Sequence, residues 1–347
     1  QHPANDMTTS IVTTHFDYHS IDHNLLKLDI LGHLDPTMIR MLQDLTGIDP
    51  LEIPLDSKEV MSLFQNTSAL GIKPEDIGGT KLGALGIPEF GTDFAMQMLM
   101  DTKPQYFSDL VRIAGLAHGT DVWLGNAQTL IKEGKATIST AICTRDDIMI
   151  YLIQKGLDSE ESFKIMEMVR KGKVASGKCK EWPEWKQDMI DHGVPDWYIW
   201  SCERIKYMFP KAHAAAYVMM AWRVAYCKVF YPLAYYTAYF SIRATAFDYE
   251  KMAMSPVRLE HYIAEYKAKK AEGTISNTEE DELGVMRIVQ EMHARGYEFT
   301  PIDIYKAKAR TFQIIDGKIM PSFKVISKVG EVAGESIEIA ARDGEFL

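Results

Sequence analysis

Apolar residues recur at helical spacing through the middle of this 347-residue chain. Between residues 93 and 240 three such groups are Phe94, Met98 and Leu99; Ile148, Tyr151 and Leu152; and Phe163, Met166 and Val169. Apolar side chains spaced three or four residues apart form one stripe along a helix, and that stripe packs against other helices. The pattern therefore predicts a mainly helical domain across these residues.

A long apolar stretch from residue 215 to residue 244 is interrupted by Pro232. Because proline lacks a backbone N–H, it ends a helix, and the stretch predicts two packed helices. Its aromatic residues are Trp222, Tyr226, Phe230, Tyr231, Tyr235, Tyr236, Tyr239 and Phe240. We interpret these rings as core, and a platform on which nucleic-acid bases stack is the alternative.

Other elements are marked by residues that begin or end regular structure. In chain order they are a helix over 35–45 with Gly47 as its stop, a helix beginning at Ser57, a glycine-rich loop over 71–91, an exposed loop over 171–185, a helical hairpin over 262–271 and 279–295, and a β-hairpin over 312–315 and 318–320. The turn of the β-hairpin is Asp316-Gly317, a pair typical of tight hairpin turns.

An acidic residue, Asp29, lies within the apolar segment 25–31, which indicates a buried strand, and a further strand is expected at 13–16. Alternation along a strand places Lys27 and Asp29 on one face and the apolar side chains on the other. A carboxylate in such a place is costly unless a cation holds it. Asp29 is therefore a candidate for chemistry, and the alternative is a carboxylate that caps the following turn.

A second candidate segment, residues 206–217, combines lysine, histidine and tyrosine with an alanine-rich helix start. Small alanine side chains allow a ligand to approach closely, and the free N–H groups at a helix N-terminus suit a phosphate. Lys211 and His213 are the leading candidates to bind it. The alternative is an ordinary helix start with a solvated lysine and a packed histidine.

Composition limits the protein class. The length predicts two or three structural units, and 46% hydrophobic residues support a real core. No apolar run is long enough to cross a membrane, no signal peptide is expected, and four scattered cysteines suggest a reducing compartment. The net charge of −10 argues against a protein that coats nucleic acid, although local positive charge remains possible.

Together the segments around Asp29 and Lys211 resemble the bacterial replicative DNA polymerases of family C, most closely the PolC type. The family has a palm strand of the form L-[LV]-K-[LF]-D-[IF]-L-G and a fingers segment of the form F-x-K-x-H-A-A-A-Y. Further segments at 83–92, 118–128 and 145–149 match the PolC type. The resemblance extends from about Thr13 to Leu347.

The resemblance implies an α+β, mostly α-helical fold. It divides the chain into the end of a nucleotidyltransferase-type palm sheet (1–46), helical fingers (47–245) and the start of a duplex-DNA-binding region (246–347), with a helix-hairpin-helix near 325–340. The implied function is a part of a replicative DNA-directed DNA polymerase that adds dNMP to a primer 3′ end by two-metal nucleotidyl transfer. The alternative is a non-catalytic helical scaffold that binds DNA or another protein.

By resemblance, Asp29 is the third of three carboxylates that hold Mg²⁺ or Mn²⁺, and Lys27 lies beside the primer terminus. An ordinary ion-pair partner is an equal alternative for Lys27. The other two carboxylates come from an Asp-x-Asp, which does not occur in this sequence. The chain is therefore expected to be a segment of a longer polymerase and to be inactive alone.

The nucleotide-binding candidates are Lys211, His213, Arg145, Tyr207 and Phe209, with His118 and Asn126 as weaker ones. Aromatic packing is an equal alternative for Tyr207 and Phe209, and the acidic pair after Arg145 is expected to cap a helix rather than bind metal. The DNA-binding candidates are Arg170, Lys171, Lys173, Lys328 and Gly330. Solvated surface charge is the alternative for the first three, and a purely structural hairpin is the alternative for the last two.

The partners implied are primer-template DNA, a dNTP and an upstream segment with the palm, PHP and exonuclease domains. A sliding clamp would bind through a C-terminal peptide that is expected to be absent from this chain. The expected location is the bacterial cytoplasm, at the nucleoid.

Overall fold

The computed structural model describes residues 6–26, 28 and 32–344, whose regular structure comprises sixteen α-helices and one two-stranded sheet. These residues divide into two units, one ending at His33 and one beginning at Leu34. The predicted predominance of helix is confirmed.

The first unit contains one short helix, α1 (Tyr18–Ile21), which the Asp17 side chain caps by accepting the N–H of His19. The strand predicted at 13–16 is wrong, since these residues are irregular and exposed. A strand must satisfy its backbone groups on a neighbouring strand, and no strand is assigned in the described part of this unit. Leu26 is 86% exposed, which contradicts a buried apolar face at this residue. Lys27 and Asp29 lie outside the described residues.

The second unit begins with α2 (Asp35–Thr46), as predicted. Pro36 occupies the first turn, where its missing N–H costs nothing, and Gly47 ends the helix at a φ of 74°. The helix expected from Ser57 is α3 (Lys58–Ser62), and the Ser57 side chain caps it. The glycine-rich segment 71–91 is the predicted loop, with a short 3₁₀ turn at Pro74–Ile77.

The region between residues 93 and 240 is mainly helical, as predicted. Its helices are α4 (Asp93–Thr102), α5 (Phe107–His118), α6 (Gln128–Lys132), α7 (Arg145–Gln154), α8 (Ser159–Arg170), α9 (Trp182–Asp191), α10 (Asp196–Cys202), α11 (Lys211–Phe230) and α12 (Pro232–Ala238).

Helix α11 lies at the centre of this region and packs against α2, α3, α5 and α12. The chain breaks between α11 and α12 at Pro232, which confirms the prediction of two helices. Trp222, Tyr235 and Phe240 are fully buried, so the core interpretation of these aromatic residues is confirmed for them. Phe230 is 44% exposed, because it ends α11 at the surface.

The predicted exposed loop at 171–185 is only partly correct. Turns continue to residue 181, but Trp182 begins α9, with Pro183 in its first turn. Cys179 and Trp185 are buried. The glycines at 172 and 177 lie in the turns, as predicted, whereas Pro183 lies at a helix start, where proline is favoured.

After residue 245 the helices are α13 (Tyr249–Met252), α14 (Pro256–Glu272), α15 (Asn277–Ala294) and α16 (Glu331–Arg342). Helices α14 and α15 form the predicted charged hairpin around Gly273. Strands β1 (Gln313–Ile315) and β2 (Lys318–Met320) pair antiparallel, with Ile314 opposite Ile319. Asp316 and Gly317 both have positive φ, as this tight turn requires.

In the segment expected to be a helix-hairpin-helix, the first element is a 3₁₀ turn at Phe323–Val325 rather than an α-helix. Lys328 has a φ of 67°, whereas Gly330 is extended, with a φ of −75°, and directly precedes α16. Gly334 packs closely on Phe323, since an added Cβ would lie 3.3 Å from the Cβ of that residue. The turn therefore places on lysine a backbone conformation that favours glycine. No helix among the described residues is long and apolar enough to span a membrane.

Candidate nucleotide-binding site

Backbone hydrogen bonds bring three distant segments together at the start of α11. Thr120, just after α5, donates its N–H to Tyr207 O at 2.9 Å and accepts the Tyr207 N–H at 3.3 Å. Arg145, the first residue of α7, donates its N–H to Phe209 O at 3.2 Å. The segment 206–210 is therefore held between the end of α5 and the start of α7, and it leads directly into α11.

Four rings form a column at this junction. The His118 ring stacks on Phe209 with centroids 4.8 Å apart. Phe209 meets His213 edge-on at 5.1 Å, and His213 lies 4.7 Å from Tyr217. His118 and His213 are exposed, whereas Phe209 and Tyr217 are half-buried. The column therefore presents two imidazoles to solvent beside the first turns of α11. The Phe209 ring contacts both of them.

His118 forms an ion pair with Glu89, whose carboxylate accepts from Nε2. This hydrogen bond raises the pKa of His118 above its ordinary value, although partial burial opposes the shift. Glu89 itself has a φ of 70°, which is unusual for a residue with a side chain. Sequence reasoning did not identify Glu89. Glu89 lies in the segment 83–92, which matches the PolC type, but nothing in that segment indicates that its partner lies 29 residues away in the sequence.

The N-terminus of α11 has one capped and two uncapped backbone groups. Asp146 accepts the Lys211 N–H at 2.8 Å. Pro210, which precedes the helix, offers no side-chain cap, and within the described residues the N–H groups of Ala212 and His213 donate no hydrogen bond. A 20-residue helix with unpaired N–H groups attracts an anion.

The acidic pair after Arg145 was expected to cap a helix, and each of its two residues caps a different helix. Asp147 caps α7 by accepting the N–H of Thr144 at 2.9 Å, whereas Asp146 caps α11. The Lys211 ammonium lies 3.6 Å from Asp147 and remains 41% exposed. The Lys211 ammonium therefore pairs with a carboxylate and is still accessible to a ligand from solvent. Arg145 is half-buried at the same junction.

The basic cluster 170–173 lies against the same segment. Gly172 packs so closely on Lys206 that an added Cβ would lie 2.7 Å from the Lys206 carbonyl oxygen. Glu167 binds Arg170 through both of its oxygens and Lys171 at 2.9 Å. These cations, Arg170 first, lower the pKa of Glu167 to about 2. Part of the positive charge is therefore neutralised by Glu167, while Lys173 is exposed.

Two candidates take other roles or positions. Asn126 is buried, and its amide donates to Asp121 O at 2.9 Å and Ser201 O at 3.1 Å, so it fixes the backbone rather than facing a ligand. Lys328 and Gly330 lie in the turn before α16, and no hydrogen bond or ion pair between described residues joins them to the site at α11. Tyr207 is 46% exposed at the edge of the site.

The described residues contain no group of three or more His, Cys, Asp or Glu that could hold a metal ion. Asp29, the predicted metal ligand, lies outside the described residues. The start of α11 instead carries Lys211, His213 and two N–H groups without a hydrogen bond among the described residues, with His118 stacked on Phe209 and Arg145 bonded to Phe209 through its backbone. Such a combination suits an anion.

A family model described as the bacterial DNA polymerase III alpha subunit finger domain matches residues 35–193. Similar curated proteins are the PolC-type DNA polymerases III of Streptococcus suis, Streptococcus pyogenes and Caldanaerobacter subterraneus, which are 53%, 52% and 50% identical over the whole chain. The chain covers 24% of the length of each.

Proposed function

The chain belongs to the PolC-type family of bacterial DNA polymerase III alpha subunits, and from this premise we propose that it supplies the fingers of a replicative DNA-directed DNA polymerase. It spans about a quarter of the length of the curated relatives. Template-directed addition of dNMP to a primer would therefore also need the palm carboxylates of a segment outside this chain, and PHP and exonuclease parts are expected as further upstream partners.

The observation that carries the proposal is the cationic N-terminus of α11. Lys211 and His213 lie on its first turn, and Arg145 is held beside it through Phe209. We propose that the triphosphate of an incoming dNTP binds here, with Lys211 acting as a point charge and the N–H groups of Ala212 and His213 as donors. His118 and His213 would donate to phosphate oxygens, and Tyr207 and Phe209 would form the wall beside the base.

The metal chemistry rests on Asp29 and Lys27, which match the palm strand of the family. A divalent ion, Mg²⁺ or Mn²⁺, would neutralise charge on the reacting phosphates when bound. We propose Asp29 as one of its ligands and Lys27 as a neighbour of the primer end. Since the sequence contains no Asp-x-Asp, the remaining ligands would come from other segments of the polymerase.

Primer-template DNA would contact two basic regions. Arg170, Lys171 and Lys173 lie next to the proposed nucleotide site and would meet a nucleic-acid backbone there. Lys328 and Gly330 would contact the duplex through the turn at residues 326–330, the tail turn, as a helix-hairpin-helix does, although the first helix is here a single 3₁₀ turn. We propose that the polymerase acts at the bacterial nucleoid and that a sliding clamp binds elsewhere on it.

Kinetics of a PolC-type polymerase that carries this sequence would test the proposal. Lys211→Ala and His213→Ala should each raise the KM for dNTP by roughly tenfold or more, because each removes a charge-assisted contact of about 1.5–3 kcal/mol. The affinity for primer-template should change less than twofold. The matched control is Lys155→Ala, at the far end of α7. A loss of DNA affinity with an unchanged KM would assign both residues to the DNA path.

A further inference from the structure

Lys228 is a lysine with no exposed side-chain surface. It lies near the C-terminal end of α11, the helix whose N-terminus carries the proposed nucleotide site. Its ammonium donates to Gly83 O at 2.8 Å and to Leu85 O at 2.6 Å, and it lies 2.8 Å from Glu291. All three donors of the ammonium are thus used, and two of them hold the backbone of one loop.

The partner carboxylate belongs to a buried network. Glu291, on α15, has no exposed side-chain surface and accepts from the Tyr236 hydroxyl at 2.7 Å. Arg295 donates in turn to the Tyr236 hydroxyl at 3.2 Å. The Tyr235 hydroxyl donates to Leu85 O at 3.2 Å, so the same carbonyl receives two side chains. Burial lowers the pKa of Lys228, and Glu291 opposes that shift.

A buried ion pair gives little net stability compared with apolar residues of the same volume, so the presence of this pair is better explained by the geometry that it enforces. That geometry is the shape of the loop 83–91. A Cβ on Gly86, whose φ is 74°, would collide with the Tyr235 hydroxyl, and one on Gly91 would lie 3.0 Å from Gly86 N. The loop is therefore folded tightly onto the helices that carry the network.

This loop carries Glu89, and Glu89 holds His118. The positive φ of Glu89 is a strained conformation that persists only where the surroundings fix it. Three contacts provide these surroundings. Lys228 and Tyr235 donate to carbonyl oxygens of the loop, and the loop turns at Gly86. Glu89 then forms its ion pair with His118. His118 then stacks on Phe209, two residues before Lys211.

We propose that Lys228 is a positioning residue for the nucleotide site, acting through the loop 83–91 and Glu89 on the orientation and charge of His118. The inference rests on the proposed function, because it gives the remote end of α11 a role in the site at its near end. A purely structural role for Lys228 would affect stability without changing the titration of His118.

The test removes both buried charges together, since Lys228→Met alone would leave Glu291 unpaired and could prevent folding. The pKa of His118 is measured by NMR titration of this chain with labelled histidine. In the double variant Lys228→Met/Glu291→Gln, this pKa should fall toward the value that His118 has in the variant Glu89→Gln. The KM for dNTP of a polymerase carrying the double variant should rise by about tenfold, within the range that small misplacement of a binding group produces. Adding Glu89→Gln to the double variant should have little further effect, because both changes act on one path.

The matched control is Lys251→Met/Glu282→Gln, which removes a partly buried ion pair of 2.8 Å between α13 and α15 and should leave the His118 pKa and the KM unchanged. If the double variant at Lys228 does not fold, Gly86→Ala distorts the same loop without removing a charge and should produce the same two changes. An unchanged His118 pKa in either folded variant overturns the inference while leaving the proposed function intact. If Glu89→Gln itself leaves the KM unchanged, the role of His118 in nucleotide binding fails instead.

Discussion

Asp146 offers a perturbation whose effects on stability and on nucleotide binding should have opposite signs. Its carboxylate accepts the N–H of Lys211 at 2.8 Å and so caps α11, the central helix of the second unit. Loss of a capping acceptor costs about 0.5–2 kcal/mol. Loss of a negative charge at a helix N-terminus costs about 0.3–1 kcal/mol.

Asp146→Ala removes both contributions, so the free energy of unfolding should fall by about 1–2 kcal/mol. Asp146→Asn keeps an acceptor oxygen and loses only the charge, so its loss should be about 0.5 kcal/mol. Urea denaturation followed by circular dichroism measures both values. Equal losses for the two variants, or no loss for Asp146→Ala, would refute the capping argument.

The effect on nucleotide binding should run the other way for Asp146→Asn. A carboxylate about 6 Å from a bound phosphate repels it by about 0.7 kcal/mol in water. Its removal should therefore lower the KM for dNTP by about threefold. The control is Asp158→Ala, which removes the cap of α8, where Asp158 accepts the N–H of Glu160 at 2.9 Å. It should lower stability to a similar degree and leave the KM unchanged. A higher KM for Asp146→Asn would contradict an anion site at α11.

Three further variants test other parts of the account. Asp29→Asn in a polymerase carrying this sequence should lower primer extension by several orders of magnitude with DNA affinity largely kept, and extension within about tenfold of the unmodified enzyme would rule out the metal assignment. Lys328→Glu should weaken duplex binding on every sequence alike and lower the salt slope by roughly one unit, whereas an unchanged slope would make the tail turn structural. Glu167 has a lowered pKa of about 2, so its ion pair stabilises the fold above the ordinary pKa of a glutamate and that stability is lost as the pH falls toward 2. Glu167→Gln should reduce the loss of unfolding free energy between about pH 4.5 and pH 2, and an unchanged acid profile would show that the pair with Arg170 contributes nothing.

Elements with local signals could be predicted from the sequence. The stop of α2 at Gly47, the break at Pro232 and the turn at Asp316-Gly317 each follow from the backbone conformations that one residue allows or forbids. The strand predicted at 13–16 was wrong because such a segment forms a strand only if a neighbouring strand is present to satisfy its backbone groups. The start of α9 was missed because proline marks both loops and helix starts.

The sequence could predict which residues belong to the candidate site, but it could not predict their arrangement in space. Lys211, His213 and Arg145 were candidates from their sequence pattern, yet their closeness depends on backbone bonds such as the one between Thr120 and Tyr207. Glu89 could not be predicted, since its contact with His118 spans 29 residues and requires a positive φ. Long-range pairing of this kind leaves no periodic trace in a sequence.

The most direct test of the central claim is an experimental structure of a PolC-type polymerase carrying this sequence, bound to primer-template DNA and a dNTP. The account predicts that the triphosphate lies at the N-terminus of α11, with a phosphate oxygen within about 3.2 Å of Lys211 Nζ and of a backbone N–H of Ala212 or His213. A triphosphate bound elsewhere, with Lys211 and His213 facing solvent or DNA alone, would contradict it.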